Sequence, residues 1–332
     1  MDKKLRVAVV GMGNMGRRHS DDMIKFEDTE LAAVCDVNIK AAEKYRDEHD
    51  PDCAVYDDYE KMLDEVKPDA VYVCLPPFAH HDEVELAAER KIAVFIEKPI
   101  AMTVEKGQSM VEAVRKNQVV SQVGYQMRFG AAVRRFKELQ QSGEAGRMTL
   151  FSASYECNSL HSPWWREKDK CGGQVFEQVI HLYDMAQYLM GPAAEVSGRV
   201  ANLLHQDVPK YTVEDTSICN ILFKDGTLGC ITGSNCAVKN QWNARFRIVC
   251  ENLTADFTDQ DHATFTYTNK HEGNVEVISG KEDPTDIEDR AFVDAVRGKR
   301  APSATIEEGL SDLVLVASVV KSSENNGSIV KL

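Results

Sequence analysis

Lys98 combines a residue type and a sequence position that together suggest chemistry. It lies in the triplet Glu97-Lys98-Pro99, directly after the apolar run Ala93–Ile96, which predicts a short buried strand. An ammonium at a strand end can hydrogen-bond a hydroxyl, or the carbonyl formed from it, and can relay a proton during redox chemistry. The proline stiffens the turn, and its peptide bond can be cis or trans. A solvated surface lysine is the alternative without chemistry.

A second set of chemical groups consists of Glu177, His181 and Asp184, spaced i, i+4 and i+7. If the chain is helical from about residue 174, the three side chains lie on one face. Carboxylates one turn away on each side would fix the tautomer of the imidazole and raise its basicity, as a general base needs. The same spacing could hold a metal ion, and a helix with a polar stripe is the alternative without chemistry. We predict no bound metal.

The elements that position these groups begin with a glycine turn, Gly11-x-Gly13-x-x-Gly16, between the apolar run Leu5–Val10 and a helix predicted over residues 17–26. This is the spacing of a dinucleotide site in its expected context. The first glycine permits the tight turn, the second lets the backbone approach the pyrophosphate, and the third lets helix and strand pack closely. The helix N-terminus then faces the phosphates. The residues predicted to bind the cofactor here are Gly11, Gly13, Asn14, Met15 and Gly16.

Asp36 ends a second predicted strand, residues 31–35, about 20 residues beyond the glycine turn. A carboxylate at this position can accept hydrogen bonds from the ribose hydroxyls. It would also repel a 2′-phosphate, and Val37, Asn38 and Ile39 follow it in place of an arginine. The sequence therefore predicts NAD as the cofactor, with NADP less favoured.

Strands and helices alternate through the first part of the chain, which predicts an open, doubly wound parallel sheet of the α/β class. The predicted strands are residues 5–10, 31–35, 55–56, 70–75, 93–96 and 119–124, and the predicted helices are 17–26, 59–65, 80–90 and 103–117, the last with Thr103 as its N-cap. Ligands of such sheets bind beyond the carboxyl ends of the strands. Segments 11–16, 75–80 and 97–99, together with Asp36, should therefore line one crevice.

The pattern changes after about residue 125. Helices are predicted at 131–141, 178–189, 287–297 and 306–322, and alternating strands at 148–156, 195–203, 216–223, 228–234, 245–250, 254–257, 263–268 and 275–278. The turn Lys224-Asp225-Gly226-Thr227 between two strands predicts a hairpin. We therefore predict an NAD-binding domain over 1–124 and an α+β domain with a mostly antiparallel sheet over 125–332, for substrate binding and oligomerisation.

Composition excludes several classes of function. The 332 residues carry a formal net charge of −14, which repels nucleic acid and anionic membranes. No apolar run approaches the ~20 residues of a membrane span, and the first strand begins too early for a signal peptide. The nine cysteines form no C-x-x-C pair and several lie in apolar strands, so reduced thiols in the cytoplasm are expected.

Taken together, these motifs resemble the Gfo/Idh/MocA oxidoreductases. The matching features are Gly11-x-Gly13-x-x-Gly16, Pro76-Pro77-x-x-His80, Glu97-Lys98-Pro99, Gly172-Gly173 followed by His181-x-x-Asp184, and the late helix around residues 291–295. They follow the family's order and span nearly the whole chain. The resemblance implies a Rossmann domain followed by an open-faced sheet domain, NAD(P)-dependent chemistry on a sugar or polyol, and homodimers or homotetramers.

The resemblance also implies roles for individual residues. Lys98 and His181 match the family's acid/base pair, and Asp184 would hold a substrate hydroxyl. The family usually has aspartate where this chain has Glu177, followed by Gln178, so the substrate cannot be copied from inositol or glucose enzymes. Residues expected near the cofactor are Leu75, Pro76, His80, Glu97 and Lys98. Residues expected at the substrate are Gln126, Arg128, Trp165, Arg166, Glu177, His181 and Asp184.

Three functions are compatible with these residues. The first is an NAD-dependent dehydrogenase of a sugar, polyol or glycoside, in which His181 takes the hydroxyl proton, aided by Glu177 or Asp184, and Lys98 polarises the same oxygen. The second is an enzyme that oxidises a glycoside transiently, eliminates the aglycone and returns the hydride, with no net redox change. The third is a non-catalytic regulator that senses a sugar or NAD, since a fold alone does not determine function.

Overall fold

The structure is a computed structural model that describes residues 3–268 and 273–332. Contacts between residues divide the chain into two compact units. The first unit combines Met1–Tyr125 with Thr285–Leu310, and the second combines Gln126–Pro284 with Ser311–Leu332. The contacts thus group residues 285–310, which the sequence-based division assigned to the second domain, with the nucleotide-binding segment.

The strands of the described residues form two sheets, of six and nine strands. The first sheet consists of β1 (Leu5–Val10), β2 (Thr29–Cys35), β3 (Ala54–Tyr56), β4 (Ala70–Val73), β5 (Ala93–Ile96) and β6 (Ser121–Val123). The second consists of β7 (Met148–Cys157), β8 (Ala193–Ala201), β9 (Thr216–Phe223), β10 (Leu228–Ser234), β11 (Trp242–Cys250), β12 (Leu253–Phe257), β13 (His262–Tyr267), β14 (Val275–Ser279) and β15 (Val330–Lys331).

The helices connect or cover these strands. They are α1 (Asn14–Lys25), α2 (Ile39–His49), α3 (Tyr59–Val66), α4 (Glu83–Glu89), α5 (Val104–Asn117), α6 (Ala131–Gln141), α7 (Lys168–Cys171), α8 (Ile180–Met190), α9 (Pro284–Val296) and α10 (Ile306–Glu324). Short 3₁₀ turns occupy Pro77–Ala79, Gln126–Phe129 and Pro163–Arg166, and a π-helical turn occupies Val175–Val179. Within the described ranges, no helix combines the length and apolar character needed to cross a membrane.

The first sheet is parallel throughout, with strand order β3-β2-β1-β4-β5-β6, which confirms the predicted doubly wound sheet. Its central strands are apolar on both faces because helices cover both sides. Tyr72 of β4 and Phe95 of β5 are fully buried, and Phe292 of α9 packs against their rings at centroid distances of 5.3 and 5.6 Å. Helix α9 thereby completes the core of the first unit.

Local sequence signals fix several helix ends in this unit. Thr103 caps α5, since its hydroxyl accepts the Lys106 N–H at 3.2 Å, as predicted. Several helices differ from the prediction, and α1 and α9 begin three residues earlier than predicted, at Asn14 and Pro284. Helix α2 was not predicted, because Ala42 and Tyr45 are its buried residues and its apolar face is correspondingly narrow. The helix predicted over 80–90 begins at Glu83, after a 3₁₀ turn that Pro77 starts.

The second sheet has the order β14-β13-β12-β11-β7-β10-β9-β8-β15. Its neighbouring strands are antiparallel except for β7 and β10, which run parallel, so the prediction of a mostly antiparallel sheet is confirmed. The predicted hairpin joins β9 to β10, and the Asp225 carboxylate accepts the Thr227 N–H at 2.9 Å across its turn. All nine cysteines of the chain are unpaired thiols.

Candidate functional site

The glycine turn between β1 and α1 is closed at two positions and open at the third. Gly11 has φ +90°, and a Cβ there would lie 2.4 Å from the carbonyl oxygen of Cys74. A Cβ on Gly16 would lie 1.8 Å from the carbonyl oxygen of Gly11, so α1 can approach the turn only without a side chain here. A Cβ on Gly13 would meet nothing within 4 Å. The protein's own packing therefore explains Gly11 and Gly16, whereas Gly13 leaves room above the backbone for a ligand.

The start of α1 fits a pyrophosphate group. Gly13 and Asn14 are exposed and Met15 is half-buried, so the first turn of the helix faces outward. The first N–H groups of a helix have no partner within it and carry a partial positive charge, which suits phosphate oxygens. Nearby, Asp36 accepts the Met12 N–H at 2.7 Å and the Asn38 N–H at 2.8 Å. These two bonds fix the carboxylate at the end of β2 and leave its other lone pairs available.

His80 follows the end of β4, together with Leu75 and Pro76, which are half-buried. The His80 side chain is 2% exposed, and its Nδ1 lies 2.5 Å from Oε1 of the buried Glu83. Burial alone would raise the pKa of Glu83, but the hydrogen bonds from His80 and from the His81 amide outweigh it and lower that pKa. Nε2 of His80 is buried with no partner among the described residues. An orphaned ring nitrogen at this strand end fits a hydrogen bond to a bound cofactor.

Glu97-Lys98-Pro99 follows β5, and the Lys98–Pro99 peptide bond is cis. Lys98 is half-buried, whereas Glu97 is buried. The Glu97 carboxylate accepts the backbone N–H of Lys98 at 3.3 Å, and its Oε1 lies 3.0 Å from Nε2 of His19 on α1. The parallel strands β1, β4 and β5 are neighbours, so within the first unit Lys98, His80 and the glycine turn lie at the same edge of the sheet. The predicted crevice residues of this unit therefore do share one edge.

In the second unit, the helix predicted to carry Glu177, His181 and Asp184 begins with the π-helical turn Val175–Val179 and continues as α8. The wider turn changes the angular spacing between Glu177 and the residues of α8 from that of an α-helix. Glu177 accepts the indole N–H of Trp165 at 2.7 Å. His181 is buried, at 7% exposure.

Asp184 is fully buried and forms an ion pair with Arg128 of the 3₁₀ turn Gln126–Phe129. The Arg128 guanidinium also lies over the ring of Tyr188, 4.6 Å from its centroid. A further titratable group, Asp312 of α10, lies beside this pair, and its burial together with the nearby Asp184 raises its pKa well above the usual range. Asp312 was not among the residues predicted from the sequence, although a lone carboxylate in the apolar stretch 310–320 is a signal for it.

The other predicted substrate residues lie at different depths. Gln126 is half-buried. Trp165 is 2% exposed, and the centroid of its ring lies 4.2 Å from that of His161, which was not among the predicted site residues. Arg166 donates to the carbonyl oxygens of Leu160 and His161 at 2.7 and 3.3 Å. These contacts pack the segment around Trp165 as an ordered loop with an aromatic pair.

One further cluster could suggest a metal centre. Ligand atoms of His205, Asp215 and Cys236 lie within 4.8 Å of one another. The Asp215 carboxylate, however, accepts the backbone N–H groups of Leu203, Leu204 and His205 at 2.9, 2.7 and 3.1 Å. Its oxygens are engaged in holding the loop that follows β8.

Comparison with known proteins gives the family. Residues 5–125 match the family described as "Oxidoreductase family, NAD-binding Rossmann fold", and residues 133–256 match the "GFO/IDH/MocA C-terminal domain". The chain belongs to the Gfo/Idh/MocA family. This confirms the resemblance inferred from the motifs, the NAD-binding Rossmann domain and the assignment as an oxidoreductase.

Relatives of this Gfo/Idh/MocA protein cover nearly its whole length. A myo-inositol 2-dehydrogenase of Thermotoga maritima is 25% identical over 98% of this chain and 98% of its own. A D-glucoside 3-dehydrogenase of Escherichia coli is 28% identical over 96% of this chain and 95% of its own. A levoglucosan dehydrogenase, solved in complex with NADH and levoglucosan, superposes with a TM-score of 0.91 at 20% identity and covers 99% of both chains. That structural likeness shows that the two chains share a fold.

Proposed function

We propose that this protein is an NAD-dependent dehydrogenase that transfers a hydride between a hydroxyl group of a sugar, polyol or glycoside and the nicotinamide. The names of its relatives support this substrate class, since one acts on myo-inositol and another on D-glucosides. The observation that carries the proposal is Lys98 at the end of β5, on the same sheet edge as the glycine turn.

Lys98 and His181 are the proposed acid/base residues. NAD supplies the hydride acceptor when it is bound. The Lys98 ammonium donates a hydrogen bond to the reacting oxygen, and His181 takes the hydroxyl proton on its imidazole. Such general acid–base assistance contributes about 10²–10⁴-fold to the rate.

The contacts of Glu177 and Asp184 refine their proposed roles. Glu177 is half-buried and accepts a hydrogen bond from the indole of Trp165. Its proposed role is therefore to orient, through this indole, the side of the helix that faces the substrate. Asp184 is fully buried and ion-paired, so we assign it the positioning of α8 instead of direct contact with a substrate hydroxyl. Gln126 and Arg166 remain proposed substrate contacts.

The proposed preference for NAD over NADP rests on Asp36. Its carboxylate is fixed by the Met12 and Asn38 amides at the end of β2, where it suits ribose hydroxyls and repels a phosphate. The unpaired thiols of all nine cysteines favour a reducing compartment, so we also propose the cytoplasm as its location.

We further propose that the protein is a homodimer or homotetramer. The outer face of the second sheet carries exposed apolar side chains on paired strands, among them Leu150, Ile218 and Leu228 at 39, 52 and 57% exposure. A second copy of the chain would cover such a face. Light scattering of the eluted protein measures the subunit number, and a monomer at micromolar concentration would contradict this part of the proposal.

The test of function is a screen of myo-inositol, levoglucosan and methyl glucosides with NAD, followed by the absorbance of NADH. Wild type should form NADH with at least one, and Lys98→Met should bind NADH normally while its kcat falls by about 10²–10⁴-fold. An unchanged kcat in that variant would remove Lys98 from the mechanism. Substrate loss without accumulation of NADH would favour transient oxidation with no net redox change, and NADH binding without turnover of any sugar would favour a regulator.

A further inference from the structure

His19 lies at the centre of a buried charge cluster in the first unit. It is on α1, just after the glycine turn, and is fully buried. Its Nδ1 lies 2.8 Å from Oδ1 of Asp289 on α9, and its Nε2 lies 3.0 Å from Oε1 of Glu97 after β5. Each ring nitrogen therefore faces the carboxylate of a buried residue.

Both contacts require a hydrogen on the ring nitrogen, because an ionised carboxylate only accepts hydrogen bonds. An imidazole with two N–H donors is the charged imidazolium. Burial lowers the pKa of His19, but the charges and hydrogen bonds of Asp289 and Glu97 outweigh this effect and raise that pKa well above its usual value. His19 is thus the imidazolium, and it faces the Glu97 carboxylate and the Asp289 carboxyl group, whose pKa is raised by burial to about 6.

The surroundings of the ring leave it little freedom. Tyr72 and Phe95 pack against it at centroid distances of 5.1 and 4.9 Å. Other ionisable groups near the cluster include the thiol of Cys74 on β4, which interacts with the Glu97 carboxylate. The Tyr72 hydroxyl and the Asp22 carboxylate on α1 interact with the carboxylate of Asp289. The imidazole cannot turn away from either carboxylate without displacing the aromatic core.

The Glu97 carboxylate is confined on its other sides as well. Its Oε2 accepts the backbone N–H of Lys98 at 3.3 Å. It also lies against Gly124, where an added Cβ would be 2.8 Å from Oε1 and 3.0 Å from Oε2. Hence the carboxylate has one arrangement, with His19 on one side, the Gly124 backbone on another and the Lys98 amide on a third.

We propose that His19 is a positioning residue that fixes the Glu97 carboxylate and, through it, the turn that presents Lys98. This inference rests on the proposed function for the importance of Lys98, but the geometry that it predicts for Lys98 holds whether or not Lys98 is catalytic. Helix α9 takes part through Asp289, which anchors the far side of the ring.

Two substitutions at position 19 separate the two hydrogen bonds. The amide nitrogen of His19→Asn can occupy the position of Nδ1 and keep the bond to Asp289, whereas that of His19→Gln can occupy the position of Nε2 and keep the bond to Glu97. Both variants lose the charge equally, so the contrast between them reports on the Glu97 contact. Gly124→Ala displaces the Glu97 carboxylate without altering His19, and His49→Asn alters a half-exposed histidine at the end of α2 as a control.

The measurement is the rate at which an amine reagent, trinitrobenzenesulfonate, modifies Lys98 in the NADH-bound protein, followed by mass spectrometry of the Lys98 peptide. We expect a change of about threefold or more in His19→Asn and Gly124→Ala, and rates within about twofold of wild type in His19→Gln and His49→Asn. Melting curves identify any variant that does not fold. Should Asn fail to fold, Gly124→Ala and Gln still decide the question.

The proposal would be overturned if Lys98 reacted at the wild-type rate in His19→Asn, His19→Gln and Gly124→Ala alike. It would also be overturned if His19→Asn and His19→Gln changed that rate by the same factor. With a sugar that wild type turns over, kcat of His19→Asn should fall by about 10–100-fold while KM changes little, because a displacement of about 1 Å at a reacting group costs about that much. If Lys98→Met keeps its kcat, the proposed catalytic role of Lys98 fails, but the reactivity pattern still tests the positioning role separately.

Discussion

Arg128 and Asp184 form a buried ion pair in which the guanidinium holds both carboxylate oxygens. Nε lies 2.9 Å from Oδ1 and 3.1 Å from Oδ2, and Nη2 lies 2.5 Å from Oδ1. The two side chains are 4 and 0% exposed. The pair thus joins the turn after β6 to α8, the helix that carries His181. Because both side chains are buried, protein atoms alone fix the position of the Asp184 carboxylate.

Asp184→Ala should destabilise the protein by about 3–5 kcal/mol, because it leaves the guanidinium buried without its partner. Urea unfolding followed by circular dichroism measures the change. Arg134→Ala is the matched control, since its pair with Glu282 is exposed and should contribute at most about 1 kcal/mol. The double variant Arg128→Met with Asp184→Leu should lose less stability than Asp184→Ala. Equal effects of Asp184→Ala and the control would contradict this account of the pair.

Two alanine substitutions in the glycine turn should have opposite consequences. Gly16→Ala puts a methyl group 1.8 Å from a backbone oxygen and should cost about 1–3 kcal/mol or more of stability. Gly13→Ala meets no atom within 4 Å and keeps an ordinary φ of −72°, so its melting temperature should stay near that of wild type. Its Kd for NADH should rise by about tenfold or more, because the methyl group occupies the approach to the pyrophosphate. Unchanged NADH fluorescence titrations in Gly13→Ala would show that the phosphates bind elsewhere.

Asp36→Ser should weaken NADH binding by about 10–100-fold, the equivalent of losing a hydrogen bond to a charged group worth about 1.5–3 kcal/mol. NADPH binding should improve, because the carboxylate no longer repels the 2′-phosphate. Asp52→Ser is the control, since Asp52 is exposed and precedes β3. It therefore lies at the amino ends of the parallel strands, whereas Asp36 follows the carboxyl end of β2. The proposal is wrong if wild type binds NADPH as tightly as NADH.

Glu214 predicts a dependence of stability on pH. The carboxyl group is buried against the N–H of Val175 at 2.9 Å, and burial raises its pKa. A carboxyl pKa that is higher in the folded state stabilises the fold below the unfolded-state pKa of about 4.3, and this contribution is lost as pH rises to the folded-state pKa. The free energy of unfolding of Glu214→Gln should therefore increase relative to wild type across that interval.

Urea unfolding of both proteins between pH 4 and 8 measures this difference. Glu324→Gln, on the exposed end of α10, should run parallel to wild type. If the free energies of unfolding of wild type and Glu214→Gln differed by the same amount at every pH, the pKa of the Glu214 carboxyl group would not change on folding.

Much of the first unit could be predicted because its signals are local. The glycine turn, the apolar strands and the Thr103 cap each depend on residues within a few positions of one another. Short sequence patterns are therefore enough to predict them. The alternation of strands and helices predicted a doubly wound parallel sheet, but the order of its strands was not predicted. Helix α2 shows the limit, since a helix that buries only a narrow face has little apolar periodicity to detect.

The site in the second unit could be predicted only in part. The spacing of Glu177, His181 and Asp184 identified the segment, but the π-helical turn ahead of Ile180 depends on packing that the spacing does not encode. Arg128 and Asp184 are 56 residues apart, and His19 and Asp289 are 270 apart. Pairings at such separations follow from the tertiary fold, so single-sequence patterns nominated the residues without their partners.

Helix α9 is separated in sequence from the rest of the nucleotide-binding unit, which delays the completion of this unit during synthesis. The 159 residues from 126 to 284 lie between its two segments, so a ribosome making about 5–20 residues per second releases β6 roughly 10–30 s before α9. Through that interval the rings of Tyr72 and Phe95 lack Phe292, and His19 lacks Asp289. The cofactor domain is therefore completed only after the residues of the intervening segment have been synthesised.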